Sequence, residues 1–568
     1  MGIRDIINRM TGGAPTRADA IAPAQVEAVS PVPAPTGVAL TPINGTSSAK
    51  MGFMDGTDGK PSLTWARYHA PMFTAGYGPY FGAPGSEISR ERPVVAAVTT
   101  DLLTSNSTVA TLVENLATYA IGPGLTLSSR PDHNGLGITP DAARELSHQI
   151  ERAWHAWAVN PVECDASSRH TVHQLVTAAF KAWLLTGESV VLLDWRRGNG
   201  AQTSTKVKLL DSRQLDGSVT RVTEHGCALQ GVQFDKLGRV MGYWIRPFVL
   251  GDYSSAPQPV FVRAKTTWGR PRALHIFDLL TPGQVRGLSP LIAAISPSHA
   301  KGTLREFTLA SALVQTMTAT TVESDLPASI ALGSLAVNDG LQHGGPTPES
   351  WVKARGDHYG TAKIALQPGT VSHLAAGDKL KMHRAETPNA TYESFDKSLG
   401  REAAKAAGSS AEDLSGYYGD TSFSASRLAM DLPSRINKRR REAIVRPLYQ
   451  NVFAAWLEEA IETGRIKLPI GAPEFWQARD AYTQAVWRGE GKPSSDPLKT
   501  AQADVLRLEN GLATYEEILG ENGKDFEETL AQRKAEKEQL EAAGFSYPTP
   551  KAQAGITVTA VPDDEALK

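Results

Sequence analysis

Gly408-Ser-Ser-Ala-Glu-Asp-Leu-Ser-Gly-Tyr-Tyr-Gly-Asp-Thr-Ser-Phe-Ser424 is a polar, glycine- and serine-rich run set between two helical patterns. Before it, Tyr392 to Ala407 places Phe395, Leu399, Ala403 and Ala407 four apart among strong helix formers. After it, from Ser424 to Thr463, apolar residues recur at Leu428, Leu432 and Ile436, then at Ile444, Leu448, Val452 and Trp456. Steps of four sustained that long predict one amphipathic helix, about 55–60 Å long at the usual rise per residue. Pro433 and Pro447 lie inside it. Each removes a backbone donor and crowds the preceding turn, so the helix is expected to kink. The glycines and serines between the blocks break the periodicity and predict a loop.

Upstream, Ile3, Ile6, Ile7 and Met10 have the spacing of a short docking helix, and Thr11 to Ser62 is rich in Pro, Ala, Gly and Thr. Pro15, Pro23, Pro31, Pro33, Pro35 and Pro42 forbid a continuous helix, which predicts a disordered arm over residues 1–63. Ser86 to Ala120 reads as one helix stopped by Gly122-Pro-Gly124, and Asp141 to Ala158 and His170 to Thr186 as two more. Glu188 to Trp195 reads as a strand, and short β runs separated by Gly, Asp and Pro predict a compact β-rich module between Lys206 and Phe277. Asp235-Lys-Leu-Gly238 is its expected hairpin turn. A long helix is expected from Ser289 to Val322, with Pro290 in its first turn. Residues 325–373 are mixed, with a strand at Lys363 to Gly369; Pro473 to Gly544 reads as helical, and residues 546–568 as a disordered tail.

The 568 residues suffice for two to four compact units, and the apolar (41%) and charged (21%) fractions are those of a globular protein. A formal net charge of −2 argues against a protein that grips nucleic acid through a global basic excess, but not against one that lets a duplex slide past. Two cysteines exclude a disulfide framework. No apolar run of about 18 residues and no signal peptide is present, so a soluble intracellular protein without a membrane partner is expected.

Catalytic signatures are missing. There is no Gly-x-x-x-x-Gly-Lys-Ser/Thr, His-Glu-x-x-His or Gly-x-Ser-x-Gly. Cys164, His170 and His173 lack a fourth ligand at metal spacing. Glu458-Glu459 reads as a solvated helix face rather than an acid/base pair, and His275 as a structural residue at a strand end. No cofactor and no metal is expected. The basic run Arg435, Lys438, Arg439, Arg440 and Arg441 has two readings, contact with DNA or with carboxylates of a neighbouring subunit. It covers more than one helix face. Strongly held phosphates would slow passage of a duplex, which favours pairing between subunits or a solvated face. Tyr417 and Tyr418 either pack on the adjacent helix or project as bulk, since a duplex hides the bases they would stack on.

Ser410 to Leu414, Tyr417 to Arg427, Arg439 to Glu442 and Phe453 to Ala460 together resemble the lambda family of phage portal proteins. Four further segments, Trp154 to Asp165, Trp183 to Val190, His275 to Pro290 and Ser495 to Lys499, resemble the same family in the same order, so the likeness covers roughly residues 64 to 545. It implies an α+β portal fold, mainly helical, assembled as a ring. Residues 64–288 would be the wing, 289–323 and 389–407 two stem helices, and 324–388 a clip. A tunnel loop (408–423), a long kinked helix (424–464) and a helical crown (465–545) would follow. Ser409, Glu412, Asp413, Ser415, Tyr417, Tyr418, Asp420 and Thr421 would then face a channel. A flexible, Tyr-bearing loop between two helical blocks suits a movable constriction.

The same resemblance implies a non-enzymatic dodecamer at one capsid vertex, assembled in the host cytoplasm. Double-stranded DNA would pass through it, and its partners would be the terminase large subunit, scaffold, the major capsid protein and head-completion proteins. A nucleic-acid-processing enzyme and a head–tail adaptor ring are the competing classes.

Overall fold

The computed structural model describes residues 86–198, 200–223, 226–248, 257–316, 320–322, 357, 371–373, 392–417, 423–491 and 496–545. The expected arm, the strand at Lys363 to Gly369, most of the clip and the tail lie outside them. Ser86 to Ala120 is two helices, α1 (Ser86–Ser105) and α2 (Ser107–Ala120). Asn106 between them is extended, and its side chain accepts from the backbone N–H groups of Thr108 and Val109. A side chain that satisfies two orphan donors starts a new helix where apolar periodicity alone runs straight through. After β1 (Thr126–Ser129), α3 (Pro140–Ala158) begins on a Thr139 cap. α4 (Val172–Thr186) begins on a capping box between Thr171 and Gln174.

Gly187 turns the chain at φ +85° into β2 (Glu188–Trp195), the strand expected there. β2 is the middle of a three-stranded antiparallel sheet with β3 (Thr205–Leu210) and β9 (Ala273–Phe277). Between β3 and β9 the chain builds a separate five-stranded meander, β4 (Arg221–Thr223), β5 (Gly226–Leu229), β6 (Val232–Asp235), β7 (Val240–Ile245) and β8 (Val260–Arg263). The expected single β module is therefore two sheets, sharing a small core that includes Val190, Leu210, Tyr243 and Ile245. The turn at Asp235 to Gly238 is present, with Asp235 Oδ1 accepting from Leu237 N and Arg239 N.

A buried ion cluster roots the next helix to the sheet. Glu188 accepts from Arg286 Nε (2.8 Å) and Nη2 (2.5 Å), from Arg92 Nη1 (3.0 Å) and from Gly287 N (3.3 Å). His275 Nε2 lies 2.9 Å from Glu188 Oε2, the oxygen that also accepts from Arg286 Nε and Gly287 N. The Glu188 carboxylate is wholly inaccessible to solvent. Burial would raise its pKa, but the bonds from Arg286 and His275 hold it well below the usual carboxylate range. Ser289 Oγ donates to Leu184 O at 2.6 Å, and Pro290 stays in the turn. Helix α5 (Ile292–Thr316) is shorter than expected at both ends. β10 (Thr320–Val322) follows it and pairs in parallel with β11 (Val371–His373).

Helix α6 (Tyr392–Ala407) has the limits expected and packs along α5, with Lys301 Nζ 3.0 Å from Asp396 Oδ2. The long helix beyond the loop is interrupted. α8 (Phe423–Arg440) passes into a π-helical turn at Arg441–Val445 and then into α9 (Arg446–Glu462). Pro447 in the first turn of α9 cannot donate, and the five-residue turn before it absorbs the lost bond: Arg446 N reaches Arg441 O. The two halves also differ in burial. Leu428 is 76% exposed on α8, whereas α9 buries Leu448, Tyr449, Val452, Phe453, Trp456 and Leu457. An even stripe of apolar residues did not distinguish an exposed arm from the centre of the main core. In that core the Trp154 and Trp456 rings lie 5.3 Å apart, the Trp154 and Trp487 rings 5.6 Å, and Tyr449 stacks on Trp487 at 4.9 Å.

The C-terminal region is not all helix. β12 (Ala485–Arg488) pairs antiparallel with β1, ahead of helices α10 (Pro497–Glu509), α11 (Tyr515–Glu521) and α12 (Phe526–Ala542). Four residues are too few to show strand periodicity in the sequence. Ser128 Oγ donates to Asp525 Oδ2 at 2.7 Å, fastening the cap of α12 to β1. Beside it, Glu151 accepts from Ser129 N at 2.8 Å. Burial, with the nearby Asp525 charge, pushes the Glu151 carboxyl up to about 7. The folded value exceeds the unfolded one, so the contribution is complete below about pH 4.3 and lost as the pH rises through the folded value. Urea midpoints of the wild type should fall between pH 6 and 8, and Glu151→Gln should abolish that fall; a fall that survives in the variant would refute this.

Candidate functional site: the loop and its basic neighbour

The loop between α6 and α8 is built from its foot. Gly408 leaves α6 at φ +78°, and Ser409 N returns to Ala404 O at 2.9 Å, closing the helix end. Ser410 caps a short helix α7 (Ala411–Ser415), accepting from Asp413 N at 3.0 Å. Glu412 and Asp413 occupy its first turn, where acidic side chains suit the exposed N–H groups. Gly416 ends it at φ +67°, and Tyr417 N donates to Ser415 Oγ. Asn115 Nδ2 on α2 donates to Asp413 O at 2.9 Å, so the first half of the loop is pinned to the helical core. The described part of the stretch expected as a loop thus contains a short helix. Local caps can be found in Ser410 and Gly416, but the anchor from Asn115 cannot. Tyr418, Asp420 and Thr421 lie outside the described residues.

Tyr417 is exposed, with Lys397 Nζ 5.9 Å from its ring centre. It borders a cleft of about 590 Å³ between α5, α6, α7 and the start of α2, lined among others by Lys301, Arg305, Asp396, Arg401 and Glu412. Cations and carboxylates alternate there, so the wall has no single sign. Of the predicted loop residues, Ser409 is buried and faces inward, Glu412, Asp413 and Ser415 are on α7, and Tyr417 points out.

The basic run divides. Arg435 is exposed and pairs with Asp431 at 2.8 Å, Lys438 is exposed, and Arg439 reaches Asp278 at 3.2 Å. Arg440 is buried and donates to Ala407 O at 2.9 Å. Arg441 donates to Ala120 O (2.7 Å) and Tyr119 O (3.2 Å). Arg440 and Arg441 are thus spent inside the chain, where they close the carbonyl ends of α6 and α2. Neither is free for DNA or a neighbouring subunit, so these two leave the set expected to face either, while the run does cover more than one helix face. The end of α8 and the first residue of the π-turn thus face the core.

Other candidates are resolved by their contacts. Cys164 Sγ lies 3.4 Å from His170 O, and His173 Nδ1 meets Tyr449 OH at 2.8 Å. Among the described residues no cluster of three or more His, Cys, Asp or Glu is placed to hold a metal ion, and no helix is long and apolar enough to cross a membrane. Glu459, expected on a solvated face, is buried and accepts from Ser204 N (2.6 Å) and Thr205 N (2.8 Å). Its neighbour Glu458 accepts from Trp268 Nε1 at 2.9 Å. The Glu188 cluster was also missed. Its members run from Arg92 to Gly287, and no local pattern pairs them.

The chain belongs to the lambda family of phage portal proteins, whose family model matches residues 72–441. Portal protein B of Escherichia phage lambda is 28% identical over 458 residues, 79% of this chain and 84% of that protein. The portal protein of Escherichia phage N15 is 28% identical over 508 residues, 87% of this chain and 94% of that protein. Among solved structures, the neck of an empty gene transfer agent particle aligns at a TM-score of 0.36 and 16% identity, covering 75% of this chain and 93% of that one. The neck of a native particle aligns at 0.35 and 14%, covering 79% and 96%. The protein is a phage portal protein, a structural, non-enzymatic component of the capsid.

Proposed function

We propose that the chain assembles as a ring, a dodecamer in the family's pattern, at one capsid vertex. Its central channel would pass double-stranded DNA during packaging and ejection. In this reading α5 and α6 are the stem, residues 324–388 the clip that docks the terminase large subunit and later the head-completion proteins, and residues 408–423 the tunnel loop. Residues 64–288 form the wing, and 465–545 the crown, while scaffold and the major capsid protein meet the outside. The ring assembles in the host cytoplasm and remains in the virion.

The observation that carries the ring is apolar exposure on the helices around the loop. Phe307, Leu309, Phe395, Leu428 and Leu432 are all exposed in the single chain. Leu428 and Leu432 lie one turn apart on one face of α8. Apolar side chains gathered on otherwise polar helices mark surfaces that another chain covers. The exposed Arg435, Lys438 and Arg439 beside them are suited to carboxylates of the adjacent copy. Light scattering and electron-microscopy projections of the purified protein should show a large ring with an axial opening. The double variant Phe307→Asp/Leu432→Asp should fall to monomers with unchanged helical circular dichroism. A wild-type protein that stays monomeric under all assembly conditions would overturn the reading.

A further inference from the structure

Buried polar atoms without partners collect at the foot of the loop. Arg440 is 6% exposed, and its Nε and Nη1 have no hydrogen-bond partner. Only Nη2 is used, on Ala407 O, and the guanidinium lies 5.9 Å from the centre of the Trp183 ring. Asn437, three residues earlier and so on the same side of α8, is 1% exposed with both Nδ2 and Oδ1 unused. Trp183 Nε1 and Ser409 Oγ are buried and unused as well. Ser409 follows Gly408, whose backbone abuts Arg440.

The chemistry of this set is one-sided. Arg440 offers the three N–H bonds of its idle Nε and Nη1, Asn437 and Trp183 add theirs, and the Ser409 hydroxyl can donate too. The only idle acceptors are Asn437 Oδ1 and the serine oxygen. The nearest carboxylate acting on Arg440 is that of Asp278, which is already bonded to Arg439. Burial accordingly pushes the Arg440 pKa down to about 10. A buried cation left uncompensated is costly. Water would satisfy the donors without balancing the charge.

We propose that Arg440, Asn437, Trp183 and Ser409 form a buried binding site for a halide-sized anion, chloride under ordinary salt conditions. Arg440, Asn437, Trp183 and Ser409 are each more than nine-tenths buried, which favours a small anion. The anion ties the foot of the loop to α8 and replaces the missing carboxylate. The site lies within one chain and is independent of the ring.

Crystals of the full chain in sodium bromide provide the test. An anomalous difference map at the bromine edge should show a peak in contact with Arg440 Nε or Nη1. Peaks elsewhere only, or none at saturating bromide, would overturn the proposal. In solution, the wild type should melt at a higher temperature in sodium chloride than in sodium gluconate of equal ionic strength, because a ligand that binds the folded state alone stabilises it. The difference should vanish in Arg440→Met, or in Asn437→Leu if the methionine variant does not fold. Equal melting of the wild type in both salts would count against the site.

Discussion

Glu188→Ala should cost about 3–5 kcal/mol, the range for a buried ion pair that loses one partner, and leave little soluble protein. Among the described residues the carboxylate is the only acid paired with Arg286, Arg92 and His275, whose side chains are 1%, 11% and 3% exposed. Its removal strands two guanidinium groups in a nonpolar interior, although Arg286 keeps its bonds to the carbonyls of Ser212, Leu215 and Gln230. Those carbonyls hold the side chain in place without cancelling its charge. Set against a total stability of about 5–15 kcal/mol, the loss is large. Glu188 also has a pH signature. Its folded pKa lies below the unfolded one, so its contribution is complete above about pH 4.3 and falls away as acid drives the pH toward the folded value. Urea titrations between pH 3 and 7 should show this acid limb in the wild type and a flatter one in Glu188→Gln. A Glu188→Ala midpoint matching that of the wild type would contradict the role given to the cluster.

Gly287→Ala should be as severe for a steric reason. A Cβ on Gly287 would fall 1.9 Å from Gly187 O and 2.5 Å from Gly187 C. The obstruction is backbone, and no rotamer relieves it. Gly187 has the reciprocal problem, with its Cβ 2.2 Å from Leu288 C and a φ of +85° besides. The turn that ends α4 and the turn that leads to α5 therefore touch main chain to main chain, next to the Glu188 carboxylate. Losses above about 4 kcal/mol arise from conflicts of this kind. Gly137→Ala is the control, since it shares a positive φ (+64°) but meets nothing within 4 Å. It should cost only about 1–2 kcal/mol. Thermal unfolding of the two variants side by side decides the matter: similar melting temperatures would mean that the close approach is not rigid.

The sequence was most legible where local chemistry sets a boundary. Gly408 ends α6 and Gly187 separates α4 from β2, and both limits agree with the structure. Apolar spacing also located α3, α4 and α9. It could not reveal that Asn106 restarts a helix, because the apolar stripe is continuous across it. Nor could it pair β1 with β12, since four-residue strands carry almost no pattern and their partner lies at the far end of the chain. The candidate site was half legible. The break in periodicity falls where α6 ends, and the described residues after it form a short helix with caps at Ser410 and Gly416. The fate of the arginines was hidden, because a carbonyl that attracts Arg440 or Arg441 is invisible in a string of side chains. Glu459 was misread for the same reason: its partners are backbone amides of another segment.

The π-turn at Arg441–Val445 sets a compass bearing. Each residue in an α-helix advances about 100° around the axis. The wider turn therefore shifts the azimuth of everything on α8 relative to the anchored α9. With α9 held by its tryptophans, that local unwinding decides which side of α8 looks inward. In its present phase, Asn437 and Arg440 face the interior while Leu428 and Leu432 look outward. Shortening the turn by one residue would rotate that outer face away, leaving each segment's own composition untouched.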